Sequence, residues 1–390
     1  MRVTQNTLFN ALRNQLQTNA QRLMQAQETV ATEKSFNSLS DNPMAAGQVL
    51  NLNASSAQIT QYLSNIDRAN SLAGAQDSAL SQVNDLIGSA KSLLLAESNE
   101  ATSTSATREA SRLQIANLTS QMTQVANTQF DGRYIFSGFA TDTPAFSDSA
   151  LTVTPPAIAG RAAVSAQQVS DATQMTYDDY QIQFTAAGQF NIIDTTSGST
   201  VAAGQSYTSG TPISFGGLTL TLTNSPGAPQ AGDTFTITTT APGTYQGDGN
   251  VQEVEIQPGM RTALNIPGNS VFQGAGASGG VDLFSIMTQI NTAMRSNDRT
   301  AMGNLLDQLD AAQTQVSNAR ATVGGRVNLL SAAKDRQTDL QTNLTTMSSN
   351  LQDADVADAM TKLSQQQNLY EASLAAASKI VQPSLLDFLK

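Results

Sequence analysis

The chain has no cysteine, no histidine and no tryptophan in 390 residues. Without cysteine there is no disulfide framework and no thiolate metal site. Without histidine, Ser–His–Asp and Cys–His catalysis, the HExxH zinc site and an imidazole pH switch drop out together. Charged residues make up 13%, about half the ~25% usual in soluble domains. Asn, Gln, Ser and Thr take their place. That surface repels itself weakly and suits close packing of identical copies; a compositional habit of the source is the other reading. The balance is acidic, with net charge −11 and pI near 4.4, which argues against a nucleic-acid partner.

Long apolar runs are also missing. None approaches the ~18 residues of a membrane span, and the longest lies near Leu93-Leu94-Leu95-Ala96. A cleavable leader needs an apolar run of roughly 7–15 residues after a basic start, whereas Arg2 is followed by Val3-Thr4-Gln5-Asn6-Thr7. The expectation is a chain that stays in the cytoplasm or leaves without a cleavable signal peptide, with no membrane insertion.

What is present is helical stepping at both ends. Phe9, Leu12, Leu16, Asn19, Leu23, Ala26 and Val30 advance by threes and fours, a heptad seam. Asn19 can fix register there as a buried amide, or be a frayed polar point on a weak seam; the second reading is taken. Asp41, Asn42 and Pro43 form a helix start. Asn42 caps, Pro43 takes the first position, and Asp41 favours the positive helix end. The next helix is expected over 43–97 with Ile59, Leu63, Ile66, Asn70, Ala73, Leu80, Val83, Ile87, Ala90 and Leu94 as its seam. At ~1.5 Å per residue it is on the order of 80 Å long. A third is expected over 107–129 through Ile115, Leu118, Met122, Val125 and Gln129.

Helix returns from Val281. Leu305, Leu309, Ala312, Val316, Ala319 and Val323 lead to Leu330, Gln337, Leu340, Leu344, Met347 and Leu351. Gly324-Gly325 costs ~1 kcal/mol per glycine, and suggests close helix approach or a bend. After Asp353-Ala354-Asp355 the phase slips by two residues. The last register is Val356, Met360, Leu363, Gln367, Tyr370, Leu374, Ala377 and Val381.

Between these ends the segment 141–280 reads as β. Tyr180–Phe184 and Phe190–Ile193 form a hairpin, and 217–223 and 233–238 alternate with period two. Arg133–Phe139 also has strand character. The fold expected is mainly α with a β insert: a long antiparallel helical bundle formed by both termini, carrying a small antiparallel β domain. Three domains follow: 1–42 with 352–390 as an inner coiled coil, 43–140 with 281–351 as a rod bearing a β-hairpin, and 141–280 outermost.

No constellation for chemistry emerges, and no cofactor, metal or catalytic residue is assigned. Asp353, Asp355 and Asp358 lack the glycine and bidentate glutamate of a calcium loop, and read as acids at a helix N-terminus. Asp248-Gly249-Asn250 reads as a turn. Tyr177-Asp178-Asp179-Tyr180 could hold a cation or a sugar, and reads as a solvated lead-in to a strand. Paired carboxylates for glycoside hydrolysis have no cleft marked for them.

Several stretches resemble the flagellin-related hook-associated proteins of bacteria, which join hook to filament. Residues 31–52, ATEKSFNSLSDNPMAAGQVLNL, resemble that family's basic turn, Ser-Asp-Asp-Pro and Ala-rich helix start. Asn42 stands where Asp is usual, and Glu33-Lys34-Ser35 replaces Gly-Lys. Residues 61–66 and 126–132 match patterns of the family, the latter shared with flagellins. Residues 132–146, GRYIFSGFATDTPAF, resemble the junction proteins, with Tyr134, Ile135, Phe136 and Gly138 as the motif. So do Tyr245-Gln246-Gly247-Asp248, 254–256, 271–272, 282–284 and the C-terminal 384–389. The segment 351–355 is common to both groups.

The resemblance implies a structural subunit of the flagellum that joins hook to filament and templates flagellin assembly. It implies type III export to the cell exterior, a homo-oligomeric ring, another hook-associated protein on one side, flagellin on the other, and a cytoplasmic export chaperone. A flagellin filament subunit and a secreted coiled-coil adhesin are the alternatives. The interface residues expected are Phe9, Leu12, Leu16, Leu23 and Val30 on the first helix, and Met360, Leu363, Tyr370, Leu374, Val381, Leu385 and Leu386 on the last.

Overall fold

The breaks in apolar stepping near Ser40 and Ala354 are breaks between helices. A computed structural model describes residues 2–100, 103–156 and 161–386, with side chains from Phe9 to Ser378 within them. The chain is mainly α with an inserted β region, and divides into two compact units, 1–64 with 333–390 and 65–332.

In the first unit, α1 (Arg2–Thr32) packs antiparallel against α7 (Val356–Leu386). Where α1 ends, the chain crosses its other terminus. Ser35 N donates to Gln352 O at 2.7 Å, and Ala354 N to Glu33 O at 2.8 Å. Beside this crossing Phe36, Ala46 and Val49 form a small core with Leu351. The first turns of α2 (Pro43–Ser98) and the last of α6 (Arg299–Gln352) complete the unit.

The second unit has a heptad core. On α2 the buried line is Ile66, Ala69, Ala73, Gln76, Leu80, Val83, Ile87, Ala90 and Leu94, alternating three- and four-residue steps. On α6 it is Met302, Leu305, Leu309, Ala312, Val316 and Val323. Two ion pairs bridge the antiparallel helices: Arg320 Nε meets Asp77 at 3.0 Å, and Lys91 pairs with Asp310. The shorter α3 (Ser105–Ala126) and α5 (Leu283–Ser296) pack on each other, with α4 (Gly268–Phe272) feeding Val271 and Phe272 into the same core.

A two-stranded hairpin follows α3, β1 (Gln129–Phe130) with β2 (Arg133–Tyr134). The insert has its own core around Phe184, Phe235, Ile182 and Leu220. Its five-stranded antiparallel sheet runs in the order β3 (Ala150–Thr154), β10 (Thr234–Thr240), β5 (Tyr180–Ala186), β6 (Gln189–Asp194), β7 (Thr200–Ser206). A second sheet runs β4 (Ala163–Val169), β9 (Leu218–Thr223), β8 (Pro212–Phe215). The hairpin β11 (Glu253–Gln257) and β12 (Met260–Ala263) returns the chain to the helices.

Several expectations change. The third helix starts at Ser105, because Thr104 and Thr107 form a reciprocal capping box. It stops at Ala126, and Gln129 is in β1. Of 133–139 only Arg133 and Tyr134 are strand; the rest turns, with Gly138 at φ +72°. The helix after Val281 breaks at Asn297, whose φ is +52°, and Asp298 caps α6 by accepting from Ala301 N at 2.9 Å. The glycines 324 and 325 make no close approach: a Cβ on either meets nothing within 4 Å, and α6 runs through them. Ala145, Phe146, Ile266, Val271 and Phe272 lie within 141–280 in sequence, yet pack in the helical core.

Candidate assembly surface on the terminal helices

A pair of helices can bury only one line of side chains on each partner. On α1 that line is Leu12, Leu16, Asn19, Leu23, Ala26 and Val30, with Asn19 buried and the others half-buried. Asn19 corrects the sequence reading. Its Nδ2 donates to Ser373 Oγ at 2.7 Å, and its Oδ1 accepts from Gln15 Nε2 at 3.2 Å. It is a satisfied buried amide, the kind that fixes register.

On α7 the line is Ala359, Leu363, Gln366, Tyr370, Ser373 and Ala377. Leu363, Tyr370 and Ala377 fall where their spacing places them. Met360, Gln367 and Leu374 are each one residue off it. Small and polar residues occupy the contact line and let the helices approach; the larger apolar side chains turn outward. At the end of α6, Leu330 and Gln337 are buried as spaced, whereas Leu340 and Met347 are exposed and the half-buried positions beside them are Gln341 and Ser348, one residue on. Val381, Leu385 and Leu386 have side chains outside the described residues.

The pairing leaves several large apolar side chains exposed. Phe9 is 53% exposed, Met24 58%, Met360 58% and Leu369 53%, and Val356 and Leu374 are also open. Leu39, Met44 and Leu50 are exposed as well. Large apolar side chains gathered on one pair of helices are candidates for burial against a partner.

The helix-start motif is local stapling. Asn42 Oδ1 accepts from Ala45 N at 3.1 Å, and Pro43 opens α2. Asp41 turns backward instead of toward the helix, accepting from Ser38 N at 3.0 Å. That hydrogen bond holds its pKa below the ordinary carboxylate value. At α7, Asp355 Oδ1 accepts from Ala357 N at 2.9 Å as a cap, and Asp358 pairs with Lys362 at 2.7 Å.

The motif Tyr134-Ile135-Phe136-Gly138 builds a knot. Tyr134 is half-buried at the hairpin, while Ile135 and Phe136 are buried. Phe136 packs edge-on against Phe272 at 5.3 Å. The Tyr245 hydroxyl donates to Phe136 O at 3.0 Å or to Asp248 O at 2.7 Å. Burial first, and then the nearby Asp248 charge, push its pKa up to about 12. Gly138 lies against Asp248, whose Oδ1 accepts from Phe139 N at 2.8 Å. These residues shape the helical core and are not part of the exposed face.

One constellation escaped the sequence reading. Asp178 is no solvated lead-in: it is 3% exposed. Arg112 on α3 reaches it at 2.7 Å, Arg295 on α5 bonds its other oxygen, and Thr176 Oγ1 donates at 2.8 Å. Arg112 also meets Glu109 at 2.7 Å and Asn291 Oδ1 at 3.0 Å. Burial opposes the Arg112 charge; Asp178 and then Glu109 outweigh it, so its pKa moves up. The arginines lie 66 and 117 residues from Asp178, and no local pattern links them. Among the described residues no group of three or more carboxylates could hold a metal.

Residues 3–141 match the bacterial flagellin N-terminal helical region, and residues 306–389 match the bacterial flagellin C-terminal helical region. Together the two matches take in more than half of the chain. The chain belongs to the flagellin family. Over 122 residues it is 34% identical to flagellar hook-associated protein 3 of Escherichia coli (strain K12), a match spanning 31% of this chain and 38% of that protein. A solved structure from Vibrio parahaemolyticus, described as a flagellar hook-associated protein, has a TM-score of 0.50 at 18% identity. It covers 80% of this chain and 100% of its own, which supports the fold. The N-terminal match holds α1, α2, α3 and the β1–β2 hairpin, and the C-terminal match holds most of α6 and α7. The exposed apolar side chains of α1 and α7 therefore lie in the two flagellin-like regions, and the insert lies between these regions in sequence.

Proposed function

We propose that this flagellin-family chain is a structural, non-catalytic subunit that joins hook to filament and templates flagellin assembly. The observation that carries the reading is the set of large apolar side chains left exposed on the paired terminal helices, Phe9 and Met24 on one and Met360, Leu369 and Leu374 on the other. Burying one Leu- or Met-sized side chain contributes roughly 1.5–3 kcal/mol. Copies set side by side in a ring, with another hook-associated protein below and flagellin above, would cover those side chains. Leu12, Leu16, Leu23, Val30, Leu363 and Tyr370 hold the pair together.

In this arrangement 1–42 with 352–390 is the inner domain, 43–140 with 281–351 the middle rod, and 141–280 the outer segment. An uncleaved N-terminal signal takes the chain through the flagellar type III apparatus to the cell exterior. A cytoplasmic chaperone covers the C-terminal helix before export. Relatedness to hook-associated protein 3 favours the junction over the filament itself. The test is a deletion strain viewed by electron microscopy with its medium assayed for flagellin. Bare hooks with flagellin in the medium are expected; normal filaments on the deletion strain would refute the proposal.

A further inference from the structure

A cavity of about 200 Å³ opens between α2, the β1–β2 hairpin and the β11–β12 hairpin. Leu72, Phe130 and Leu264 give it apolar walls, and Arg68, Arg133 and Asp131 are its charged lining. Its frame is held in place from several sides. Gln252 Nε2 donates to Gly138 O at 2.8 Å, Gln76 Nε2 to Leu264 O at 3.3 Å, and Tyr134 N to Thr141 O at 2.9 Å.

Two arginines line this place, Arg68 from α2 and Arg133 from β2. Arg112, Arg161, Arg295 and Arg320 each pair with an aspartate. The side chains of Arg68 and Arg133 are exposed and make no ion pair or hydrogen bond among the described residues. With Asp131 counted, the cavity keeps one positive charge over in a chain whose net charge is −11. A guanidinium fork matches a carboxylate in two parallel hydrogen bonds. Small-molecule sites usually run to roughly 300–1,000 Å³, so this volume suits a single side chain. Another copy of the chain, with 31 acidic residues against 20 basic ones, presents carboxylates in excess.

We infer that the cavity receives an Asp or Glu side chain from a second copy of this chain, held between Arg68 and Arg133. The inference rests on the assembly proposed above and adds a contact away from the terminal helices. The experiment places a photo-cross-linking phenylalanine at Thr141, on the rim, in the flagellated cell, with a second strain carrying it at Met360 on the terminal face. The expected result is a Thr141 cross-link to a second copy, mapped to a peptide bearing Asp or Glu. Arg68→Glu with Arg133→Glu is expected to abolish that cross-link, while export into the medium stays at the wild-type level. Arg68→Lys with Arg133→Lys keeps it. A Met360 cross-link between copies with none at Thr141, or a Thr141 cross-link to another protein or to a peptide without an acid, overturns the inference and leaves the assembly reading standing. Absence of copy-to-copy cross-links at both positions overturns both.

Discussion

Arg112 and Asp178 lie 66 residues apart in the chain and 2.7 Å apart in the fold. Both side chains are nearly buried, at 7% and 5% exposure. The pair fastens the β insert to α3, and Arg295 extends the fastening to α5. Asp178→Ala would strand a buried guanidinium, and breaking such a pair from one side typically costs about 3–5 kcal/mol. Glu109 remains beside Arg112, so the lower end is expected. Chemical denaturation of the purified variant checks it, with exposed Asp142→Ala as a control expected within about 0.5 kcal/mol of wild type.

Two glycines should respond in opposite directions. Gly138 sits at φ +72°, and a Cβ there would come 2.0 Å from Asp248 Oδ1 and 2.2 Å from its carbonyl oxygen. Gly138→Ala should destabilise by well over 1 kcal/mol, through both strain and collision. Gly324 lies in open helix with nothing within 4 Å of an added Cβ. Gly324→Ala should stabilise by about 0.5–1 kcal/mol. Thermal melts of the two variants decide both signs.

Tyr245 gives a pH signature. Its pKa is raised from 10.0 to about 12 in the fold, so the unfolded chain loses that proton first. The stabilisation is complete below pH 10 and is lost as pH climbs from 10 to 12. Because the ring is only half-buried, the effect is screened and modest. The difference between wild type and Tyr245→Phe in stability against pH should shrink across that window and stay flat below it.

The insert should be separable. Ala150 and Thr240 face each other across β3 and β10, so replacing 151–239 with a short turn joins two ends that already meet. The core residues Phe146, Ile266 and Phe272 stay behind, whereas a cut from 150 to 270 would remove Ile266. The shortened chain is expected to remain soluble and exported, as read in the culture medium. Loss of export with normal solubility would show that the insert contributes to passage or assembly.

The long helices were legible because heptad burial repeats: Leu80, Val83, Ile87, Ala90 and Leu94 are buried where their spacing puts them. The hairpin Tyr180–Phe184 with Phe190–Ile193 was equally plain from alternation. Legibility failed where a small residue takes the contact line, since Ala359 and Ser373 give a weaker pattern than exposed Met360 and Leu374 beside them. It failed for strands without apolar alternation: β7, TVAAGQS, is exposed along nearly its whole length. It failed for Asp178, because the partners that bury a charge come from distant elements. On the candidate surface, the α1 line was readable except for Phe9, whereas half of the α7 line was displaced by one position.

The central claim is that the terminal helices are completed by neighbouring copies. The most direct test is amide hydrogen exchange, followed residue by residue on purified monomer and on the same chain in assembled flagella. In the monomer, α1 and α7 should exchange far faster than the Leu80–Leu94 stretch of α2, and on assembly they should become protected. Equal, strong protection of α1, α7 and that stretch in the monomer, unchanged by assembly, would contradict the account.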